Sequence, residues 1–556
     1  MLTLIVFIPL IAAIGLLFVN RASVGAIRTV AVLAALLSFV FSLGLWAEFD
    51  SSNPEMQFVQ IVHWVPMLHI NYLVGVDGIS LFLVMLTAFV SLIAVCFALD
   101  QKENLRDFLA LMLALEAGTL GVFVALDTIL FYVFWELMLV PTYFIIGLWG
   151  EGRRVYATTK FVLYTLVGSL LMLVAIIAVT IVHYEATGEL SFDIRILSHT
   201  QIDSASQIWM FLCFFLAFAV KVPVFPLHSW LPHAYLSCPI PALLILTGAM
   251  SKAGAYGIIR FCLPLFPGAV ESMGLVIAAA AAAGIVYGAW IAVSQTDLKA
   301  LVAYSSISHL GFIVLGIFAL NGQGIEGSVL QMVNHGIIAS ALFIIVGILE
   351  QKMGTRNLND FRGLSKAMPV LYGMFMLITL AALGLPGLEA ELVDSRRRCC
   401  SFLVQAVAEL GLSDRVRVRE LGAGQLTGPY QTVVSRAFLP PPELVSLAVG
   451  LLAPGGRLLV MASGKARLRV EDLVDLGDGH VEAEQRHRLA ELLARHLPVA
   501  VLVPLAEQVD QPHLVLVQDV VQLLLHAHAR RRVELHHRRQ HRRPRAHIVR
   551  VDALRA

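Results

Sequence analysis

The sequence predicts an all-α polytopic membrane protein of about twelve transmembrane helices, truncated at its C-terminal end and followed by an incomplete α/β fragment and a basic tail. Three observations carry that expectation. Hydrophobic residues fill 58% of the 556 positions against 14% charged, with a mean hydropathy of +0.79, a balance that no water-soluble core requires. Apolar runs close to the roughly 20 residues that cross a bilayer recur along residues 1–388. Charge is sparse before Leu388 and dense after it, ending in an Arg- and His-rich stretch from His526 to Arg555. The net charge of +1 averages these unlike parts and points to no partner.

The runs fall at 2–19, 26–47, 77–99, 107–126, 128–149, 161–183, 207–226, 240–262, 273–293, 301–320, 328–350 and 368–388. The first has no basic n-region before it and no small-residue cleavage site after it, so it is expected to stay in the protein as a helix. Linkers after odd-numbered runs hold Arg21 and Arg28, Lys102 and Arg106, Arg153, Arg154 and Lys160, Lys299, and Lys352, Arg356, Arg362 and Lys366. Linkers after even-numbered runs hold Glu48, Asp50 and Glu55, then Glu185, Glu189 and Asp193, then Glu271 and Glu326, with almost no Lys or Arg. The basic side is expected to face the cytoplasm, which places the N-terminus in the periplasm and the chain in the cell's inner (plasma) membrane.

Three runs contain prolines. Pro141 follows Glu136, Pro223 and Pro226 follow Lys221, and Pro386 ends the last run. Each removes a backbone donor and frees a carbonyl that lipid cannot satisfy, so a broken membrane helix needs protein or water beside the break. The breaks after Lys221 and near Pro386 lie five helices apart, which suits a five-helix inverted repeat with an ion site at the breaks.

Five ionisable residues lie within apolar runs on different helices: Glu136, Lys221, Lys252, His309 and His335. Each costs a few kcal/mol in hydrocarbon. A plainer role, polar glue between helices, suits any one of them better than all five together. Burial disfavours the charged form of a carboxylate and of a lysine alike, while proximity restores both, so breaking such a pair moves a proton. Histidine suits hand-over through water. The six cysteines form no C-x-x-C pair, which argues against an iron-sulfur cluster or a zinc site on this chain.

Five segments carry a resemblance: Phe134 to Pro141 (FWELMLVP), Lys221 to Pro232 (KVPVFPLHSWLP), Ser251 to Gly257 (SKAGAYG), Ala303 to Gly311 (AYSSISHLG) and Asn334 to Gly336 (NHG). In this order they resemble the antiporter-like membrane subunits of proton-pumping NADH-quinone oxidoreductase (respiratory complex I), and subunit M most. The resemblance implies an inverted-repeat, antiporter-like fold over 1–388 and a proton-translocating role coupled to quinone reduction elsewhere. It places the family's Glu-Lys pair on Glu136 and Lys221, its connecting lysine on Lys252 and its relay histidines on His309 and His335. It implies no cofactor on this chain, with NADH, flavin, iron-sulfur clusters and quinone handled by partner subunits, and other membrane-arm subunits and the lipid bilayer as partners. No nucleic acid is expected. One departure stands inside the match: Leu231-Pro232-His233-Ala234-Tyr235 replaces the family's usual Leu-Pro-Asp-Ala-His, a change expected to touch a loop. A subunit of a cation/proton antiporter or of a membrane-bound hydrogenase is the alternative on the same helices.

After Leu388 the apolar runs stop, where the family would continue with the second half of a broken helix bearing a glutamate. Residues 389–464 read as soluble α/β: a strand ending at Asp394, a helix over Cys400 to Leu410, a strand at Arg415 to Arg419, then Tyr430 to Ala437, a helix over Pro442 to Leu452 and the segment Pro454 to Val460. This resembles the middle of a small-subunit ribosomal RNA guanine-N7 methyltransferase, without the glycine-rich loop that would hold its cofactor, so a membrane-anchored RNA methyltransferase is the alternative from another class. Two unrelated halves imply a chimera. Residues 465–556 match no named family and are expected to be disordered or translated in the wrong frame.

Overall fold

The computed structural model describes residues 1–361 and 364–382, and four later strands. The helices are α1 (Leu2–Phe18), α2 (Val24–Ala47), α3 (Gly78–Ala98), α4 (Leu105–Val124), α5 (Thr128–Trp149), α6 (Arg154–Thr187), α7 (Ser204–Lys221), α8 (Trp230–Ser237), α9 (Ile240–Leu265), α10 (Pro267–Val293), α11 (Leu298–Ile317), α12 (Gly322–Met353) and α13 (Pro369–Ala382). Among the described residues ten of them, α2 to α7 and α9 to α12, are long and apolar enough to cross a membrane. The apolar α1 and α13 are shorter, at 17 and 14 residues. Every expected run overlaps one of these helices; the run at 207–226 stops being helical after Lys221, and residues 383–388 of the last run lie outside the described residues.

Aspartates start several of them. Asp77, Asp127, Asp203 and Asp297 each accept hydrogen bonds from the first free amides of the helix that follows. Burial pushes the Asp77 carboxyl up, but the Arg260 guanidinium 2.6 Å away and the Ser80 donors outweigh it and hold the group below its usual value.

Contacts between linkers follow parity. Arg356 lies 3.1 Å from Asp297, 3.3 Å from Glu350 and 3.6 Å from Glu151, while Lys299 donates to the Cys238 carbonyl and the Glu151 amide donates to the Ser237 carbonyl. Arg21 pairs with Asp107, and Arg28 donates to the Leu99 carbonyl. All of these join odd-numbered linkers or the helix ends beside them. Even-numbered linkers join one another as well: the Thr128 amide donates to the Phe192 carbonyl, the Leu126 amide to Leu73 and the Asn71 amide to Asp127. Successive helices therefore run in opposite directions, as the alternation of charge requires.

Two features depart from the expectations. Residues Gln57–Val65 (β1) and Ile70–Val76 (β2) form an antiparallel hairpin, anchored by a bridge from Val74 to Ala125. A purely helical reading missed it, because both strands are far shorter than a membrane run. Pro141 does not break α5, which continues to Trp149. Gly118 lets the α4 backbone lie against this turn, since a Cβ there would come within 3.1 Å of the Met138 amide nitrogen, and the Thr142 hydroxyl bonds to the Met138 carbonyl. Close protein packing thus replaces lipid beside the lost donor.

The four later strands are β3 (Ala390–Asp394), β4 (Val416–Glu420), β5 (Tyr430–Arg436) and β6 (Leu452–Met461). They belong to two units, Met1–Gly422 and the residues from Ala423 on, with β3 paired to β4 in the first and β5 to β6 in the second. Both pairs are parallel, the pairing that α/β units make. The expected helices at Cys400 to Leu410 and Pro442 to Leu452 lie outside the described residues, apart from Leu452, which opens β6. The Pro386 break and residues 465–556 also lie outside them.

Candidate functional site

The break after Lys221 is where the first polar group forms. The Val222-Pro223 step stops α7, and the unpaired backbone is satisfied locally: the Trp230 indole donates to the Val220 carbonyl at 2.8 Å and the Val224 amide to the Ala219 carbonyl at 2.8 Å. Lys221 is 1% exposed, and its Nζ lies 4.8 Å from the centre of the Trp135 ring, within cation–π reach. Glu136 follows Trp135 on α5. The two opposite charges act on each other, yet their atoms stay outside the 4.0 Å range of a direct ion pair. One Glu136 carboxylate oxygen is buried without a hydrogen bond, and the Tyr132 hydroxyl lies against the same carboxylate and against Ser169.

The second group is built on α9, whose central turns are not α-helical. Leu246–Met250 and Ile258–Cys262 wind as π-helix on either side of Ser251–Gly257. Such turns leave carbonyls to be taken by side chains and recur at functional positions. Here the Thr247 carbonyl accepts from the Ser251 hydroxyl and from the Lys252 ammonium. Lys252 is wholly buried and also donates to Ser251 Oγ at 3.2 Å and shares a 2.8 Å hydrogen bond with His335 Nδ1. His335, on α12, leaves its Nε2 buried and unbonded, and its ring centre lies 5.7 Å from that of His309 on α11. His309 in turn meets Gln331 at 3.4 Å. Lys252 acts electrostatically on both histidines.

The five residues singled out in the sequence thus fall into two groups, Glu136 with Lys221 and Lys252 with His335 and His309. Helices α7 and α9 hold the groups side by side. At Gly254 a Cβ would come within 2.7 Å of the Phe218 carbonyl oxygen and 3.0 Å of the Val222 amide nitrogen, so only glycine permits this approach one turn above Lys221.

Two buried polar residues were passed over. Glu116 lies at the centre of α4, wholly buried, with neither carboxylate oxygen hydrogen-bonded and no charge acting on it. A charge inside an apolar run was its signal, the same one that marks Glu136. Tyr235 is the other. The Leu231 to Tyr235 departure, expected in a loop, lies on α8, and Tyr235 is 0% exposed with its ring edge-on to Phe343.

Comparison with known proteins gives consistent matches. Residues 125–395 match the family described as NADH:quinone oxidoreductase/Mrp antiporter, transmembrane. The chain is 42% identical over 402 residues to NADH-quinone oxidoreductase subunit M of Rhodobacter capsulatus, covering 70% of this chain and 77% of that one. It is 38% identical over 444 residues to NADH-ubiquinone oxidoreductase chain 4 of Arabidopsis thaliana, covering 78% and 87%. Among solved structures, a chain of respiratory complex I from Thermus thermophilus superposes with a TM-score of 0.63 at 30% identity, covering 75% of this chain and 83% of that one.

Proposed function

Since the chain belongs to the subunit M family of NADH-quinone oxidoreductase, we propose that protons cross it through Glu136 and Lys221 and then through Lys252, His335 and His309. The chain is a multi-pass, proton-translocating membrane subunit of that complex. The observation that carries the residue assignment is the 2.8 Å contact between the buried Lys252 ammonium and His335 Nδ1. A lysine buried only for packing would be expected to find a carboxylate. Lys252 is bonded instead to a carbonyl, a hydroxyl and an imidazole, and the imidazole nitrogen can take its proton and hold it.

The two groups work in series. With Lys221 charged, Glu136 stabilises it through a low-dielectric gap that no direct ion pair closes. Loss of the Lys221 proton inward leaves Glu136 without its counter-charge and ready to take up a proton itself. Lys252 receives the proton and shares it with His335, whose unbonded Nε2 is the atom from which it leaves toward His309. His335→Phe is expected to lower NADH-driven proton translocation in inverted membrane vesicles by at least about tenfold at equal amounts of assembled complex. Undiminished translocation would contradict the assignment.

NADH, flavin, iron-sulfur clusters and quinone belong on this reading to partner subunits, with the membrane arm of the complex and lipid as this chain's surroundings. The basic, odd-numbered side faces the cytoplasm and the N-terminus lies on the periplasmic side of the inner membrane. A cysteine placed ahead of Leu2 should then react with a membrane-impermeant maleimide in right-side-out vesicles. Reaction only in inverted vesicles would reverse the orientation.

A further inference from the structure

Lys252, Tyr256 and Arg260 follow one another along α9 at four-residue spacing, the interval that sets neighbouring side chains about 5–6 Å apart on one helix face. Arg260 stands near the end of its apolar run that leads to the even-numbered linkers, the side where the sequence holds almost no Lys or Arg. A basic residue there departs from the charge pattern of the rest of the membrane part. Its guanidinium has two partners: Nη2 pairs with Asp77 at 2.6 Å, and Nε donates to the Tyr256 hydroxyl at 3.2 Å. The Tyr256 hydroxyl donates in turn to the Phe123 carbonyl at 3.1 Å, with the two rings edge-on and their centres 5.3 Å apart.

These contacts gather three helix ends: the start of α3, which Asp77 caps, the end of α4 at Phe123, and the second π-helical turn of α9. Strand β2 lies flush against the linker that follows α4, since the Leu126 amide donates to the Leu73 carbonyl and a Cβ at Gly75 would come within 2.8 Å of Leu126 Cδ1. Tyr256 is 1% exposed, and the side chains of Arg260 and Asp77 are 14% and 16% exposed. The chemistry of the series is a stop as well. The Tyr256 proton is held by a carbonyl, which passes no proton on, and the Tyr256 oxygen accepts from a guanidinium, which releases none in a protein. Asp77, the group able to carry a proton outward, is separated from Tyr256 and Lys252 by that guanidinium. The relay atoms differ: Glu136 and His335 each keep a buried polar atom with no hydrogen bond, whereas among the described residues none is found on Tyr256, Arg260 or Asp77.

We propose that Tyr256 and Arg260, with Asp77 holding the guanidinium, are positioning residues that close the even-numbered side of the molecule to the Lys252 proton and leave His335 Nδ1 as its way out. The closure rests on the assignment of Lys252 to the relay. A proton that left along α9 instead would have to pass a fixed positive charge, the kind of electrostatic barrier that keeps protons out of membrane pores. Arg260 needs no bond to Lys252 for this: it denies the ammonium a second acceptor, and the 2.8 Å contact with His335 then decides where the proton goes.

The test uses the purified, assembled complex in liposomes and follows the decay of an imposed pH gradient without NADH, then NADH-driven translocation, each normalised to assembled complex. It compares the unaltered chain, Arg260→Gln, Lys252→Leu and the two substitutions together. Arg260→Gln should speed the decay by about tenfold, and adding Lys252→Leu should restore the slow decay, because the leak runs through Lys252. Decay at the unaltered rate in Arg260→Gln, with Lys252→Leu unable to translocate, overturns the closure and leaves the relay standing. Equally fast decay with and without Lys252→Leu also overturns it, since Arg260 would then serve the packing of the helix ends alone. Should Arg260→Gln not assemble, Arg260→Lys is read the same way: its ammonium can release a proton, so a gradient held as well as by the unaltered chain overturns the closure. Normal translocation by Lys252→Leu would remove the relay itself, and the closure with it.

Discussion

Glu136→Gln is expected to lower NADH-driven proton translocation by about 100-fold without unfolding the chain. The amide has the shape of the acid but cannot ionise, so Lys221 loses the carboxylate that acts on it. What remains is the Trp135 ring, 4.8 Å from Nζ, and a cation–π contact of about 0.5–2 kcal/mol is a poor substitute for a full counter-charge in a low-dielectric interior. Lys221 would then have no group whose protonation state follows its own. Glu136→Asp keeps the charge but draws it back by one methylene, and should retain a measurable fraction of the rate. Glu116→Gln is the control: a wholly buried carboxylate on which no charge acts should be replaceable at little cost to the rate. Acidification of inverted vesicles, normalised to assembled complex, reads all three.

Lys252→Leu should separate activity from stability more sharply. The substitution takes one donor from the Thr247 carbonyl, which keeps the Ser251 hydroxyl, and leaves His335 Nδ1 without its lysine partner, a loss of about 1–3 kcal/mol. Against that, it removes a buried ammonium, and replacing buried ions by apolar groups is often neutral or stabilising by about 1–4 kcal/mol. Thermal stability of the purified complex should change little, while translocation falls by about 100-fold. A large fall in stability with translocation per folded complex preserved would make Lys252 a structural residue.

The membrane helices were legible because hydrocarbon imposes one rule, an unbroken apolar run, and the linker charges were legible because the two sides of the membrane differ. The relay residues were legible for the same reason, since a lysine or glutamate in such a run stands out against its surroundings. Glu116 stood out equally and was passed over because no motif surrounded it. What the sequence could not show depends on contacts between helices. Of the two π-helical turns of α9, Leu246–Met250 holds the Thr247 carbonyl that Ser251 and Lys252 bond, and apolar periodicity is blind to both turns. Pro141 suggested a break, yet α5 continues because Gly118 admits the neighbouring backbone. The hairpin at 57–76 does carry β-branched and aromatic residues in its first strand, but a search for long apolar runs discards segments of nine and seven residues. Tyr235 looked like a loop change because the family's letters were compared, whereas its burial is decided by α8 folding back into the bundle.

The most direct test of proton passage through the Glu136 and Lys221 group is an infrared difference spectrum of the assembled complex, recorded between rest and NADH-driven turnover, in the region of the protonated carboxyl stretch. A carboxyl whose state does not change, as expected of Glu116, cancels in such a difference. The relay predicts a carboxyl band that changes on turnover in the unaltered complex and is missing from Glu136→Gln. Identical carboxyl bands in both would show that Glu136 carries no proton, and would contradict the account.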